Sequence, residues 1–127
     1  MKIHISPQLE LWAGRLATAI PATVLILSAI AKFVQPPGTV ELLSKFGYDS
    51  SLLRSIAVLE CVCTAIYLIP RTTILGAILL TGYFGGAIAS HLRIYDAFLD
   101  HLALGFLVWG GVWLRERRLR CLLPVRR

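Results

Sequence analysis

Apolar positions in this chain gather into long runs separated by short polar breaks. From Thr72 to Ser90 there is no charged residue at all. A hydrocarbon core about 30 Å thick needs roughly 20 apolar residues at about 1.5 Å each, so such a run predicts a membrane-spanning helix. The same pattern predicts spans over 11–34, 52–69 and 98–114 beside 72–90. Ser6-Pro7 can start the first helix, with Ser6 as cap and Pro7 at its first position. Pro21 is expected to kink it. Gln35-Pro36-Pro37-Gly38 breaks it, and Pro70-Arg71 turns the second span into the third. Residues 39–51 form an amphipathic connector with Leu42, Leu43, Phe46 and Tyr48. Its apolar side is expected on the membrane surface or over the mouth of the helices, with Gly47 ending a short helix. Gly82, Gly86 and Ser90 recur at steps of four. Such a small face predicts close packing against a neighbouring helix. Trp109 and Trp113 are expected toward lipid or the interface.

Composition agrees with that pattern. The 127 residues are 57% hydrophobic and 16% charged, against about 25% charged in soluble domains. So apolar a chain of this length could not cover its own core in water. Residues 1–127 therefore read as a single domain, all-α, an integral membrane four-helix bundle. The first run is too long for a cleaved signal peptide, and no small-residue cleavage site follows it. Of the three cysteines, Cys61 and Cys63 fall about 200° apart on a helix and cannot readily pair. Neither they nor Cys121 sit in a metal-binding spacing, so no metal is expected.

The net charge of +6 is uneven. Six of the thirteen basic residues, Arg115, Arg117, Arg118, Arg120, Arg126 and Arg127, lie in the tail 115–127. No aromatic-basic platform accompanies them, which speaks against nucleic acid. With Arg71 and Lys2 they mark one side of the membrane; Lys45, Arg54 and Arg93 on the other side are diluted by Glu41, Asp49 and Asp96. The positive-inside rule then puts both termini in the cytoplasm, in a multi-pass protein of a bacterial-type cytoplasmic membrane.

Four alternating spans bring several ionisable groups to one level: Lys32, Arg54, Glu60, His91, Arg93, Asp100 and His101. Glu60 lies eight residues beyond Leu52, roughly 12 Å along a helix. An ionised carboxylate there costs about 2.5–3.5 kcal/mol or more, so it must face inward and pair with Lys32, the first choice, or with Arg54, His91 or Arg93, or else be protonated. The pair is either an ion pair fixing helix register or part of a ligand or proton site. His91 is a proton-transfer group or an interfacial residue. The candidate binding cluster is Lys32, Glu60, His91 and Arg93, with Arg54, Asp100 and His101 as contributors. No catalytic motif is present: no phosphate loop and no nucleophile elbow.

These residues resemble the DoxX-like family of small four-helix membrane proteins, over about Ile26 to Pro124. The first helix ends SAIAKF, with Lys32; KFGY precedes the helix bearing Glu60; YLIPRTTILGAILLTGYFGGA and SHLRI follow; WGGVWLRERRLRCLLPVRR is similar to the family's basic C-terminus. Two departures stand out. Relatives often carry Gly near Ala29-Ile30, and Gly where Tyr95 follows the His-x-Arg motif. The resemblance implies a four-helix membrane fold with Lys32 and Glu60 as its polar centre, His91 and Arg93 beside them. It also implies a link to redox chemistry, since the family name comes from a quinone-linked sulfur oxidoreductase subunit. Other relatives look like membrane partners of redox proteins, cargo receptors or assembly factors.

Three functions follow as expectations. The first is a small-molecule (quinone or lipid) binding component of a membrane redox assembly, an accessory subunit rather than an enzyme alone. It would hold no intrinsic cofactor and take electrons from a protein partner. The second is a non-catalytic assembly or interaction factor, with a homo-oligomer among its expected partners. Transport ranks third, because four helices without an internal repeat are few for alternating access.

Overall fold

The computed structural model describes residues 5–122, and every regular element among them is helical. In chain order they are α1 (Pro7–Val34), α2 (Pro37–Ser44), α3 (Ser50–Leu68), α4 (Thr73–Arg93), α5 (Leu99–Arg115) and α6 (Arg117–Leu122). Lys2, Arg126 and Arg127, which enter the charge argument, lie outside the described residues.

Each helix boundary has a local cause. α1 begins at Pro7, ahead of the apolar run, because the Ser6 side chain accepts the Leu9 N–H and proline suits the first helical position. It runs on through Pro21, which is buried. It stops at Gln35, which adopts φ 52°, ψ 55° and donates its N–H to Ala31 O. Two prolines then forbid continuation. The Gln35 side chain also donates to Ser50 O at 2.9 Å, which ties the end of α1 to the start of α3. Asp49 caps α3, its carboxylate accepting the Leu52 N–H at 2.8 Å and the Ser51 hydroxyl at 2.9 Å. The Leu52 N–H, then Ser51, hold the Asp49 carboxyl below the usual carboxylate range.

Three helices, α1, α3 and α4, are long and apolar enough to cross a membrane. α5 has 17 residues, about 25 Å at the usual helical rise and shorter than those three. α1 packs against α3 and α5, and α4 packs against the same two. Leu25, Tyr67, Ala77, Leu80, Phe84, Val108 and Val112 form the shared core, joined by Leu119 of α6. Leu27, Val58, Ile78 and Phe106 point outward, as apolar residues do when the solvent is lipid.

At the end formed by the start of α1, the α3–α4 turn and the end of α5, the helices close tightly. Tyr67 of α3 is fully buried. Its hydroxyl donates to Val108 O at 3.1 Å and to Thr18 Oγ1 at 3.4 Å, joining α3 to α5 and α1. Glycines make the approach possible. A Cβ on Gly76 would lie 2.3 Å from the Tyr67 backbone, and one on Gly111 would lie 2.7 Å from Thr18 Oγ1. α6 folds back onto this end, where Arg120 pairs with Glu10 at 3.3 Å and its guanidinium lies 4.5 Å from the Trp113 ring centroid. The sequence pattern read these residues as a basic tail; the buried Leu119 is what turns part of it into a docked helix. Trp109 is not simply lipid-facing: its indole N–H donates to Thr81 Oγ1 at 2.8 Å across α4 and α5.

Candidate functional site

The opposite end is open. A cavity of about 780 Å³ lies between α1, α3, α4 and α5, with α2 and the residues after it over its mouth. That volume is within the roughly 300–1,000 Å³ typical of small-molecule sites. Lys32 and Glu60 line it, facing each other from α1 and α3. Lys32 Nζ donates to Glu60 Oε2 at 2.7 Å, and the two side chains are 11% and 2% exposed. Lys32 also donates to Ser28 Oγ one turn below it and to the Tyr83 hydroxyl on α4 at 3.5 Å. Three acceptors from three helices thus surround one ammonium.

The rim of the cavity comes from the facing ends of α4 and α5. His91 and His101 lie with ring centroids 4.6 Å apart. Each is beside a carboxylate: His101 Nδ1 is 2.9 Å from Asp100 Oδ1, and His91 Nδ1 is 3.3 Å from Asp96 Oδ2. The second contact is too poorly aligned for a hydrogen bond, so His91 Nδ1 is buried without a partner among the described residues. The Phe46 ring packs edge-on to His91 at 4.7 Å.

The candidate residues therefore separate. Lys32, Glu60, His91, Asp100 and His101 all line the cavity. Arg93 does not; its guanidinium donates to Phe46 O. Arg54 is exposed on α3 and does not line it either. Arg93 instead holds the connector in place. Beside it, the Tyr48 hydroxyl is 2.6 Å from Ser90 Oγ, so the cover over the mouth is fastened to α4 twice. Tyr48, Tyr83, Ser28 and Asp96 also line the cavity and were not singled out from the sequence. For Ser28 a signal existed, since it lies one helical turn before Lys32. For Tyr48 the amphipathic connector expected over the mouth was a signal; for Tyr83 there was none.

The small face of α4 calls for a correction. Gly82, Gly86 and Ser90 do not pack against a neighbouring helix but line the cavity, and a Cβ on Gly82 or Gly86 would meet nothing within 4 Å. Missing side chains here leave space. Cys63 is buried in the cavity wall; Cys61 and Cys121 are exposed, and all three are free thiols. Among the described residues no three histidine, cysteine or acidic side chains gather as a metal ion would need.

Apolar helices of spanning length around an enclosed ion pair define a membrane protein. The chain belongs to the DoxX-like family, whose sequence model matches residues 16–114. The match begins before Ile26, where the resemblance starts, and leaves the basic tail after Leu114 outside. No curated protein and no solved structure matches the chain.

Proposed function

We propose that the cavity is a small-molecule site, for a quinone or lipid, in an accessory subunit of a membrane redox assembly. The observation that carries this reading is the Lys32–Glu60 ion pair in the wall of a 780 Å³ cavity rather than in a close-packed helix contact. A pair serving only to fix helix register would need no cavity beside it. This one shares its space with Tyr83 and Ser28, groups able to bond a polar head. His91 and His101 stand at the rim with ring centroids 4.6 Å apart, each beside a carboxylate. The electrons would come from a partner protein.

In the same reading α5 crosses the bilayer with the other three, as a four-helix bundle. Its 17 residues reach the lower limit of spanning length, about 17, and it packs along α1 and α4. Both termini then lie on the cytoplasmic side of a bacterial-type membrane, with Arg71 and the arginines of α6, and the cavity lies in the outer half.

Native mass spectrometry of protein released gently from its membranes tests this, wild type beside Glu60→Gln. A bound apolar ligand in the wild type that is lost from the variant supports the site. A stoichiometric protein partner with no ligand would favour a non-catalytic assembly factor instead. The exposed Gly82, Gly85 and Gly86 on α4, a surface on which another helix could lie, are the observation behind that second reading.

A further inference from the structure

The two ends of the bundle differ in charge. Among the described residues the closed end holds six arginines, Arg15, Arg71, Arg115, Arg117, Arg118 and Arg120, against two carboxylates, Glu10 and Glu116. At the open end Lys45, Arg54 and Arg93 are balanced by Glu41, Asp49, Asp96 and Asp100. The excess at the closed end has few partners. Arg120 pairs with Glu10 at 3.3 Å. Glu116 accepts the backbone N–H of Arg118 at 3.3 Å rather than a guanidinium. Arg115 donates from Nε to Gly111 O at 3.2 Å, and its Nη2 is buried with no partner among the described residues. Arg15, Arg71, Arg117 and Arg118 are exposed and form no ion pair among the described residues.

This charge sits at one depth, and two tryptophans mark it. Trp12 of α1 and Trp113 of α5 are both exposed. Each has an arginine over its ring: Arg15 at 5.2 Å from the Trp12 centroid, Arg120 at 4.5 Å from that of Trp113. A Cβ on Gly14 would lie 2.7 Å from Arg115 Cγ and 3.1 Å from Leu114 Cβ, so α1 and α5 run side by side here. The two rings therefore stand within about 5 Å of each other along the bundle. Tryptophan collects where lipid tails give way to headgroups, because its body is apolar and its N–H is not. α6 starts at that level. Glu116 is extended, at φ −106° and ψ 96°, and turns the chain out of the line of α5. Leu119 then packs into the core, and Leu122, three positions on, is exposed. Arg117 and Arg118 fall about 100–200° from Leu119 around the helix. A helix with apolar residues on one side and arginines on the other lies in the interface rather than across it.

We propose that the closed end, through the arginines of α6 and those beside them on α1 and the α3–α4 turn, is a docking surface for acidic phospholipid headgroups. The planar guanidinium suits phosphate oxygens, which it can bond two at a time. A zwitterionic headgroup brings its own cation with each phosphate and leaves the excess positive charge uncompensated; an acidic one neutralises it. Depth selects the source of the phosphate. Lipid phosphates already lie at the level of the two tryptophans, whereas a nucleic acid or an acidic protein would have to displace them. The surface is at the opposite end from the cavity, and its role does not depend on what the cavity binds.

Nanodiscs of equal parts phosphatidylcholine and phosphatidylglycerol test it, with native mass spectrometry counting the lipids that stay on the protein. Phosphatidylglycerol is expected to be retained at least about five-fold over phosphatidylcholine, the worth of one arginine near an acidic surface. Arg117→Gln with Arg118→Gln is expected to remove most of that preference, and Arg117→Lys with Arg118→Lys to keep most of it. Arg15→Gln with Arg71→Gln is expected to lower it as well, on elements whose folding does not involve α6. Lys45→Gln with Arg54→Gln takes the same charge from the open end and is expected to change nothing. Equal retention of the two lipids by wild type overturns the proposal. So does a preference that the closed-end substitutions leave untouched, or one that falls equally in the open-end variant, since net charge alone would then explain it. Binding of an oligonucleotide or of polyglutamate to the detergent-solubilised wild type, without any lipid preference, overturns it in favour of a soluble acidic partner.

Discussion

On α4, a Cβ at Gly76 would lie 2.3 Å from the Tyr67 backbone, while at Gly82 and Gly86 it would meet nothing within 4 Å. The three glycines lie within three turns of one helix and do opposite work. At the closed end a missing side chain lets two backbones touch, and Tyr67 joins three helices through its hydroxyl. At the open end the missing side chains widen a cavity, and the helices are held by an ion pair instead. Packing at the first end is contact between atoms; at the second, a few polar bonds span a gap. A glycine in a membrane helix thus has no meaning until its facing surface is known.

The comparison can be broken by substitution, and the largest effect is expected at the ion pair. Glu60→Gln or Lys32→Met, each leaving one charge enclosed without its partner, should destabilise by about 3–5 kcal/mol in thermal unfolding. The double substitution Lys32→Met with Glu60→Met should restore most of that loss. If the single variants are as stable as wild type, the open end does not depend on the pair. Next comes Gly76→Ala, expected to cost about 3 kcal/mol, because a backbone cannot yield to the new methyl as a flexible side chain would. Gly86→Ala should do the reverse and stabilise by about 0.5–1 kcal/mol, since it meets nothing and alanine is the better helix former. Equal losses at both glycines would erase the contrast between the two ends.

Tyr95 gives a smaller effect of a different kind. It has φ 57° and is 97% exposed, so a left-handed backbone is imposed on a residue whose side chain packs on nothing. Glycine, which the resemblance places here in relatives, adopts such a dihedral without strain. Tyr95→Gly should gain up to about 1 kcal/mol, the relief of left-handed strain less the added chain entropy. The smallest effect is expected from acid. The Asp49 carboxyl is held low, so its cap on α3 is complete above the ordinary carboxylate range and is lost only as pH falls through the depressed folded value. Asp49→Ala should remove that acid dependence, seen as helicity of the α3 end against pH.

Much of the helical pattern was legible. Charge-free runs, the Ser6-Pro7 start and the two proline breaks place α1, α3 and α4 within a few residues. A carboxylate two turns into a span has to find a cation, and alternating spans bring Lys32 level with Glu60. What the sequence could not show was azimuth. Helical periodicity tells which residues share a face, not what that face meets, so Gly82 and Gly86 read as a contact when they border a space. Arg93 sits two positions from His91 and reads as part of the same cluster, yet about 200° of helix separates their side chains. One lines the cavity and the other fastens its cover. The meeting of His91 with His101 and the return of α6 onto α1 depend on loop geometry between helices, for which local residue preferences give no distance.

The contact between Gly76 and Tyr67 also has a mechanical consequence. It fixes α3 and α4 to each other near one end, while farther along α4 the Tyr83 hydroxyl accepts from Lys32 of α1 beside the cavity. From Gly76 to His91 the helix is a rigid arm of about 22 Å at the usual rise. A tilt of about 5° about that fulcrum carries the tip roughly 2 Å, using the same arm length. A shift too small to disturb the packing at one end is thereby magnified to the scale of a hydrogen bond at the other, so the arm's leverage sets how wide the cavity beside Leu59 can stand.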